Sequence, residues 1–207
     1  DRKAHILIIK TLGLSAYDES LEKMRRFTLD RSKLTEDEVW LMEHPPTYTL
    51  GLKAKAEHIL NHDHQIPVIQ SDRGGQITYH GPGQLIAYTL LDLKRLNLTV
   101  RKAVRLLEQT TINLLSSLDV MACGDEARPG VYVKGKKIAS LGLKIRNGYS
   151  YHGVALNVNM DLKPFDNINP CGYNDLMVTQ LKELNVNLSI EEVSQLWANQ
   201  FLLSFND

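Results

Sequence analysis

The stretch VYVKGKKIASLGLKIRNGYSYHGVALNVNM, residues 131–160, decides how this chain folds. It reads as three consecutive strands, Val131–Lys134, Lys137–Arg146 and Tyr149–Met160. Gly135-Lys136 and Asn147-Gly148 suit the tight turns between them. Asn-Gly is the strongest short hairpin signal, because a two-residue turn needs positive φ at both central positions. Upstream, strands are expected at Ala4–Leu12, Glu38–Glu43 (closed by Pro45-Pro46), Pro67–Gln70, Gln76–His80 and Gln84–Leu91. Gly74-Gly75 and Gly81-Pro82-Gly83 mark turns there.

Helices flank this strand-rich middle. Ala16–Leu29 is amphipathic, with Ser15 as a candidate N-cap. Along Thr99–Leu118, apolar residues from Val100 to Leu118 keep one face. Leu176–Phe205 reads as two helices, one starting near Ser189, where Ser189-Ile190-Glu191-Glu192 has capping-box spacing. Helices before, between and after clustered strands predict an α/β fold of the α+β type. The expected architecture is a single domain over residues 1–207, a mixed β-sheet covered by helices.

Composition narrows the function. Hydrophobic residues make up 43% of 207, enough for a full core. Lys and Arg number 24 and so do Asp and Glu, without the basic excess of a nucleic-acid binder. No apolar run approaches the roughly 18 residues of a membrane span, and Ile6–Ile9 is too short for a signal peptide. Two cysteines, Cys123 and Cys171, cannot build a disulfide framework, so a cytoplasmic location is expected. Charge is nevertheless uneven. Arg128 to Met160 holds six basic residues (Arg128, Lys134, Lys136, Lys137, Lys144, Arg146) and no acidic one, and Lys94 to Arg105 adds more. That pattern is either a solvated face or a docking surface for acidic partners.

Three places could carry chemistry. In Ser71–Gln84, four glycines lie among Arg73, Thr78, Tyr79 and His80. Two ordinary hairpin turns would explain the glycines but not that polar set. Gly130–Lys137 nearly matches a phosphate loop, but Lys137 replaces the required hydroxyl and the intervening residues read as a strand. Cys171 sits between Pro170 and Gly172, at a turn rather than in a packed element. Cys123 has no such setting and reads as a small buried hydrophobe. His58, His62 and His64 lie in a polar loop, so no metal is expected. His44, at a strand end, reads as structural. By its neighbours alone, Lys137 is a surface lysine in a hairpin.

Arg73–Tyr88 (RGGQITYHGPGQLIAY) resembles the signature of the lipoyl(octanoyl) transferases, the lipoate-protein ligase B type. Lys137–Gly142, His152–Asn157 and Asn169–Gly172 resemble that family's later motifs, in order. The resemblance implies a biotin/lipoate protein ligase-like fold and a catalytic pair of Cys171 and Lys137. It implies substrate contacts from Arg73, Gly74, Gly75, Gln76, Ile77, Thr78, Tyr79 and His80, from Ser140, Leu141 and Gly142, and from Gly153, Val154 and Ala155. The implied donor is octanoyl-acyl carrier protein. The implied acceptors are lipoyl domains of 2-oxoacid dehydrogenase complexes and the glycine cleavage H protein, with no nucleic acid, membrane or cofactor involved. Two rivals share features with this reading: an ATP-dependent lipoate ligase, and a non-catalytic module that binds carrier or lipoyl domains.

That activity has definite chemical needs. A thiol with the usual pKa near 8.5 is only a few per cent thiolate at pH 7, and a nearby ammonium favours ionisation. Deprotonating an acceptor lysine at pH 7 costs roughly 4.6 kcal/mol, so a base is needed, and Lys137 is the candidate. Thioester exchange followed by amide formation needs no ATP. An apolar slot must hold the chain. Ile77, Leu141 and Val154 are expected to line it, with space left by Gly74, Gly75, Gly142 and Gly153.

Overall fold

The computed structural model describes residues 5–61, 65–168 and 177–206. In chain order they form β1 (Leu7–Leu14), α1 (Tyr17–Asp30), β2 (Asp37–Glu43), β3 (Thr47–Leu50), β4 (Val68–Gln70), β5 (Ile77–His80) and β6 (Gln84–Leu90). There follow α2 (Val100–Ser117), β7 (Cys123–Gly124), β8 (Val131–Val133), β9 (Lys136–Arg146), β10 (Tyr149–Asn157) and α3 (Ile190–Asn206). The strands divide into two sheets. A seven-stranded sheet runs β1-β2-β6-β10-β9-β8-β7, and a three-stranded one runs β4-β3-β5. Parallel pairs β1/β2 and β3/β4 make both sheets mixed.

The β9–β10 hairpin is the centrepiece, paired from Arg146↔Tyr149 to Ala139↔Leu156. Its turn is Asn147-Gly148, with φ of 53° and 84°. The β8–β9 turn falls one residue earlier than expected, at Lys134 and Gly135, with φ of 49° and 79°. β6 is buried along its whole length because the large sheet is covered on both faces. Leu85 and Ala87 meet Leu107, Leu114, Trp197 and Phe201 of α2 and α3. Ile86, Tyr88 and Leu90 join Tyr17, Leu21 and Met24 of α1 on the other face.

Local signals explain most ends. Thr99 Oγ1 accepts from Lys102 N and caps α2. Ser189 and Glu192 bond reciprocally at the start of α3. Three expectations need correction, and one strand goes unpredicted. Ser15 does not cap α1; its hydroxyl donates to Leu12 O, and Ala16 holds the cap position with no side-chain bond. Among the described residues only one C-terminal α-helix forms, because Leu181–Leu184 is a 3-10 turn that Asn185 ends at φ 61°. The Pro45-Pro46 break is followed at once by β3, a strand whose polar Thr47 and Thr49 hid it. Cys123 is exposed on β7 rather than buried.

Candidate active site

A cavity of about 200 Å³ opens where β5 and the 73–76 loop face β6, β9 and β10. It gathers nearly every residue singled out by motif: Arg73, Gly74, Gly75, Gln76, Ile77, Thr78, His80, Lys137, Ser140, Leu141, Gly142, Gly153, Val154 and Ala155. Among the described substrate contacts, Tyr79 is the exception. Side chains alternate along a strand, so Thr78 and His80 reach the cavity while Tyr79 turns away. It packs on Tyr48 and Phe165, with ring centroids at 5.5 and 5.4 Å. Further lining comes from Tyr17, Lys53, Ile86, Tyr88, Arg128, Pro129 and His152. These come from separate segments that only folding assembles, and no motif marks them as a set.

Arg73 organises its own loop. Nε and Nη2 donate to Thr49 Oγ1 at 3.1 and 2.8 Å. Nη2 also reaches Thr49 O at 2.7 Å and Gln76 O at 2.8 Å, and Nη1 reaches Gly74 O at 3.0 Å. The loop then lies so close to β3 that a Cβ on Gly51 would meet Gly75 O at 2.3 Å. Glycines at Gly142 and Gly153 serve the same closeness. An added Cβ would meet Gly74 O at 2.9 Å and Ala87 O at 2.0 Å. Their missing side chains therefore admit neighbouring backbone rather than open space for a ligand chain.

Beneath the cavity lies a set of buried rings. Gln84 Nε2 donates to Tyr79 O and Asn157 Oδ1, which leaves Oε1 to accept from His80 Nδ1 at 2.9 Å. Burial pushes His80 well below its usual pKa, and His44 and Arg73 add to this. His44 contacts Ser15 O and Tyr88 OH, both at 2.6 Å, and burial lowers it to about 4. Both are neutral at pH 7. His44 is structural, as expected.

At one end, Asp72 ties three elements together. Tyr151 OH donates to Oδ2, His152 Nε2 lies 2.7 Å from Oδ1, and Arg25 Nε donates to Oδ2 at 3.1 Å. Burial opposes this carboxylate's charge. The bonds from His152 and Tyr151 and the Arg25 charge outweigh it and hold Asp72 well below the usual carboxylate range. His152 is buried and kept neutral by that burial, so Nε2–H is the donor. Its φ of 64° is rare for a residue with a side chain.

Lys137 is at the other end. Residues 137 and 143 are six apart on β9, and Leu143 pairs with His152, so the two ends are roughly 20 Å apart along the strand. The lysine is only 5% exposed, not a surface residue. On one side it pairs with Tyr132. On the other its N–H donates to Met177 O and its carbonyl accepts from Thr179 N, both at 2.9 Å. Nζ stands 5.9 Å from the Tyr132 ring centroid. Cys171 and its Asn169–Gly172 motif lie outside the described residues, as do His62 and His64. The flanks of that segment are fixed, Ile168 by a bridge to Ile59 and Val178 by a bridge to Lys137.

The Lipoyl protein ligase A/B catalytic domain family matches residues 16–202. The chain belongs to this family. It is 57% identical over 188 residues to an octanoyltransferase of Pseudomonas entomophila, covering 91% of this chain and 87% of that one. It is 53% identical over 199 residues to an octanoyltransferase of Nitrosomonas europaea, covering 96% and 97%. The resemblance to the lipoyl(octanoyl) transferases therefore holds, and the chain is an acyltransferase. Among solved structures, a bi-partite lipoate protein ligase of Thermoplasma acidophilum has a TM-score of 0.78 at 18% identity, covering 95% of this chain and 82% of that one. A biotin protein ligase of Aquifex aeolicus has 0.60 at 13%, covering 96% and 69%. The fold is thus that of the lipoate and biotin protein ligases. Among the described residues, no helix is long and apolar enough to cross a membrane, and no group of three or more His, Cys, Asp or Glu is set to hold a metal.

Proposed function

We propose that the protein, as one catalytic domain over residues 1–207, moves an octanoyl group from octanoyl-acyl carrier protein to a lysine of lipoyl domains. The acceptors are those of 2-oxoacid dehydrogenase complexes and the glycine cleavage H protein, and the reaction runs in the cytoplasm without a cofactor. The Cys171 thiolate attacks the donor thioester carbon. The phosphopantetheine thiolate leaves and takes a proton from the Lys137 ammonium, so that an octanoyl thioester remains on Cys171 and Lys137 is left as the neutral amine. The acceptor amine then attacks that carbonyl, Cys171 leaves as thiolate, and Lys137 Nζ takes the amine proton.

The observation that carries this reading is Lys137: a buried amine lining an acyl-sized cavity, its backbone bonded to residues that follow Cys171 by a few positions. Ile86 and Ala155 supply apolar contacts to the cavity walls, Ile77, Leu141 and Val154 border it from the neighbouring cores, and Arg73 to Thr78 with His80 shape one side. Intact-mass measurement after incubation with octanoyl-acyl carrier protein alone tests it. The expected product carries one hydroxylamine-sensitive octanoyl group, absent from Cys171→Ser and kept by Cys123→Ser. Full turnover by Cys171→Ser would remove the covalent mechanism. ATP-dependent use of free octanoate would instead indicate a ligase, and no turnover by either route a binding module.

A further inference from the structure

The side chain of Lys137 crosses the chain at Gly130. An ideal Cβ on Gly130 would lie 2.6 Å from Lys137 Cε, 3.4 Å from Tyr132 Cε2 and 2.9 Å from Ala139 O. Pro129, just before it, lines the cavity, as does Lys137. The lysine backbone has little freedom to compensate, because Tyr132 flanks it on one side and Met177 and Thr179 hydrogen-bond it on the other. Its stem therefore runs into the cavity over a position with no side chain and beside the Tyr132 ring.

We propose that Gly130 is a positioning residue that aims the Lys137 ammonium at the reacting atoms; this rests on the reading of Lys137 as the catalytic amine. A lysine stem yields more readily than a backbone, so a methyl group at 130 displaces Nζ. A displacement of about 1 Å at a reacting group can lower the rate by about 100-fold. Gly130 also has a φ of 154°, and the Ala139 carbonyl is near, so a substitution carries some strain of its own. A double-mutant cycle separates the two effects.

Gly130→Ala, Lys137→Ala and the double variant are compared for octanoyl transfer, for alkylation of Cys171 against pH, and for urea unfolding. Gly130→Ala should fold and lose about 10- to 100-fold in transfer, with its alkylation profile moved toward that of Lys137→Ala. On the Lys137→Ala background, Gly130→Ala should cost no further activity. Wild-type transfer by Gly130→Ala, or an equal further loss on the Lys137→Ala background, would overturn the proposal while leaving the role of Lys137 intact. Normal transfer by Lys137→Ala would overturn the role of Lys137 itself. If Gly130→Ala does not fold, Lys137→Ala should restore folding by removing the Cε. Failure to restore it would mean that the space at Gly130 serves the Ala139 carbonyl, and the proposal falls.

Discussion

The two ends of the cavity use polar side chains in opposite ways. At the Asp72 end, a carboxylate just before the 73–76 loop receives bonds from Tyr151, His152 and Arg25, joining it to α1 and β10. Arg73 likewise bonds backbone and Thr49, and His80 is held by Gln84. At the Lys137 end, the stem of a buried amine lies over a glycine and beside an aromatic ring. Charge that must not move is enclosed by hydrogen bonds. The Lys137 backbone is held by bonds to Met177 and Thr179, and its stem packs over Gly130. The lesson is that the cavity joins a hydrogen-bonded scaffold to the end that holds the proposed catalytic amine, although one set of motifs marks both.

The largest effect should come from the Lys137 end. Lys137→Ala is expected to lower transfer by about 10²- to 10⁴-fold. Lys137→Arg keeps the charge but cannot give up its proton. It should preserve rapid alkylation of Cys171 at pH 7 and formation of the acyl-enzyme, yet fail in transfer to a lipoyl domain. Single-turnover measurement of each half-reaction checks this. Normal passage of the acyl group by Lys137→Arg would end the contrast between the ends, leaving Lys137 an electrostatic role only.

Next in size is acid sensitivity of the scaffold. His44 is held at about 4 by burial, against about 6.5 in the unfolded chain. Its lowered value means that stability is complete above pH 6.5 and lost as pH falls toward 4, by roughly 3 kcal/mol. His44→Gln cannot titrate, so urea unfolding at pH 7.5 and 4.5 should show a smaller drop than in the parent. An equal drop would mean that other groups control acid unfolding.

The Asp72 clamp should give a smaller effect. Asp72→Asn removes the charge from three hydrogen bonds, at about 1.5–3 kcal/mol of stability at pH 7. Because the Asp72 pKa is lowered, its contribution is full above about pH 4 and lost as pH falls through the folded value. The variant should flatten that acid limb and raise the donor KM more than it lowers kcat. A purely kcat effect would place Asp72 with the Lys137 end.

Smallest is the docking surface. The basic stretch does not form one free face: Lys137 is buried, and Arg128 pairs with Asp125 at 2.8 Å. Arg146 is exposed and Lys144 half-buried. Charge reversal at both should raise KM for one protein partner a few-fold and weaken its salt dependence. Unchanged KM across ionic strength would make this a solvated face.

Much of the fold was legible in the sequence, because local rules set it. Asn147-Gly148 can hardly be anything but a tight turn, Thr99 and Ser189 cap their helices, and one apolar face runs along α2. Of the substrate contacts that the motifs implied, all but Tyr79 line the cavity, while Cys171 lies outside the described residues. Tertiary structure decided what depends on distant neighbours. It divided the strands between two sheets and made β3 from a polar segment by pairing it with β4 and β5. It recruited Tyr17, Tyr88 and His152 to the cavity and turned Arg73 back onto Thr49. Burial of Lys137 was beyond any local reading, since the residues that cover it follow some forty positions later. Whether a lysine is solvated or enclosed depends on which chain packs over it, and that is a property of the assembled fold.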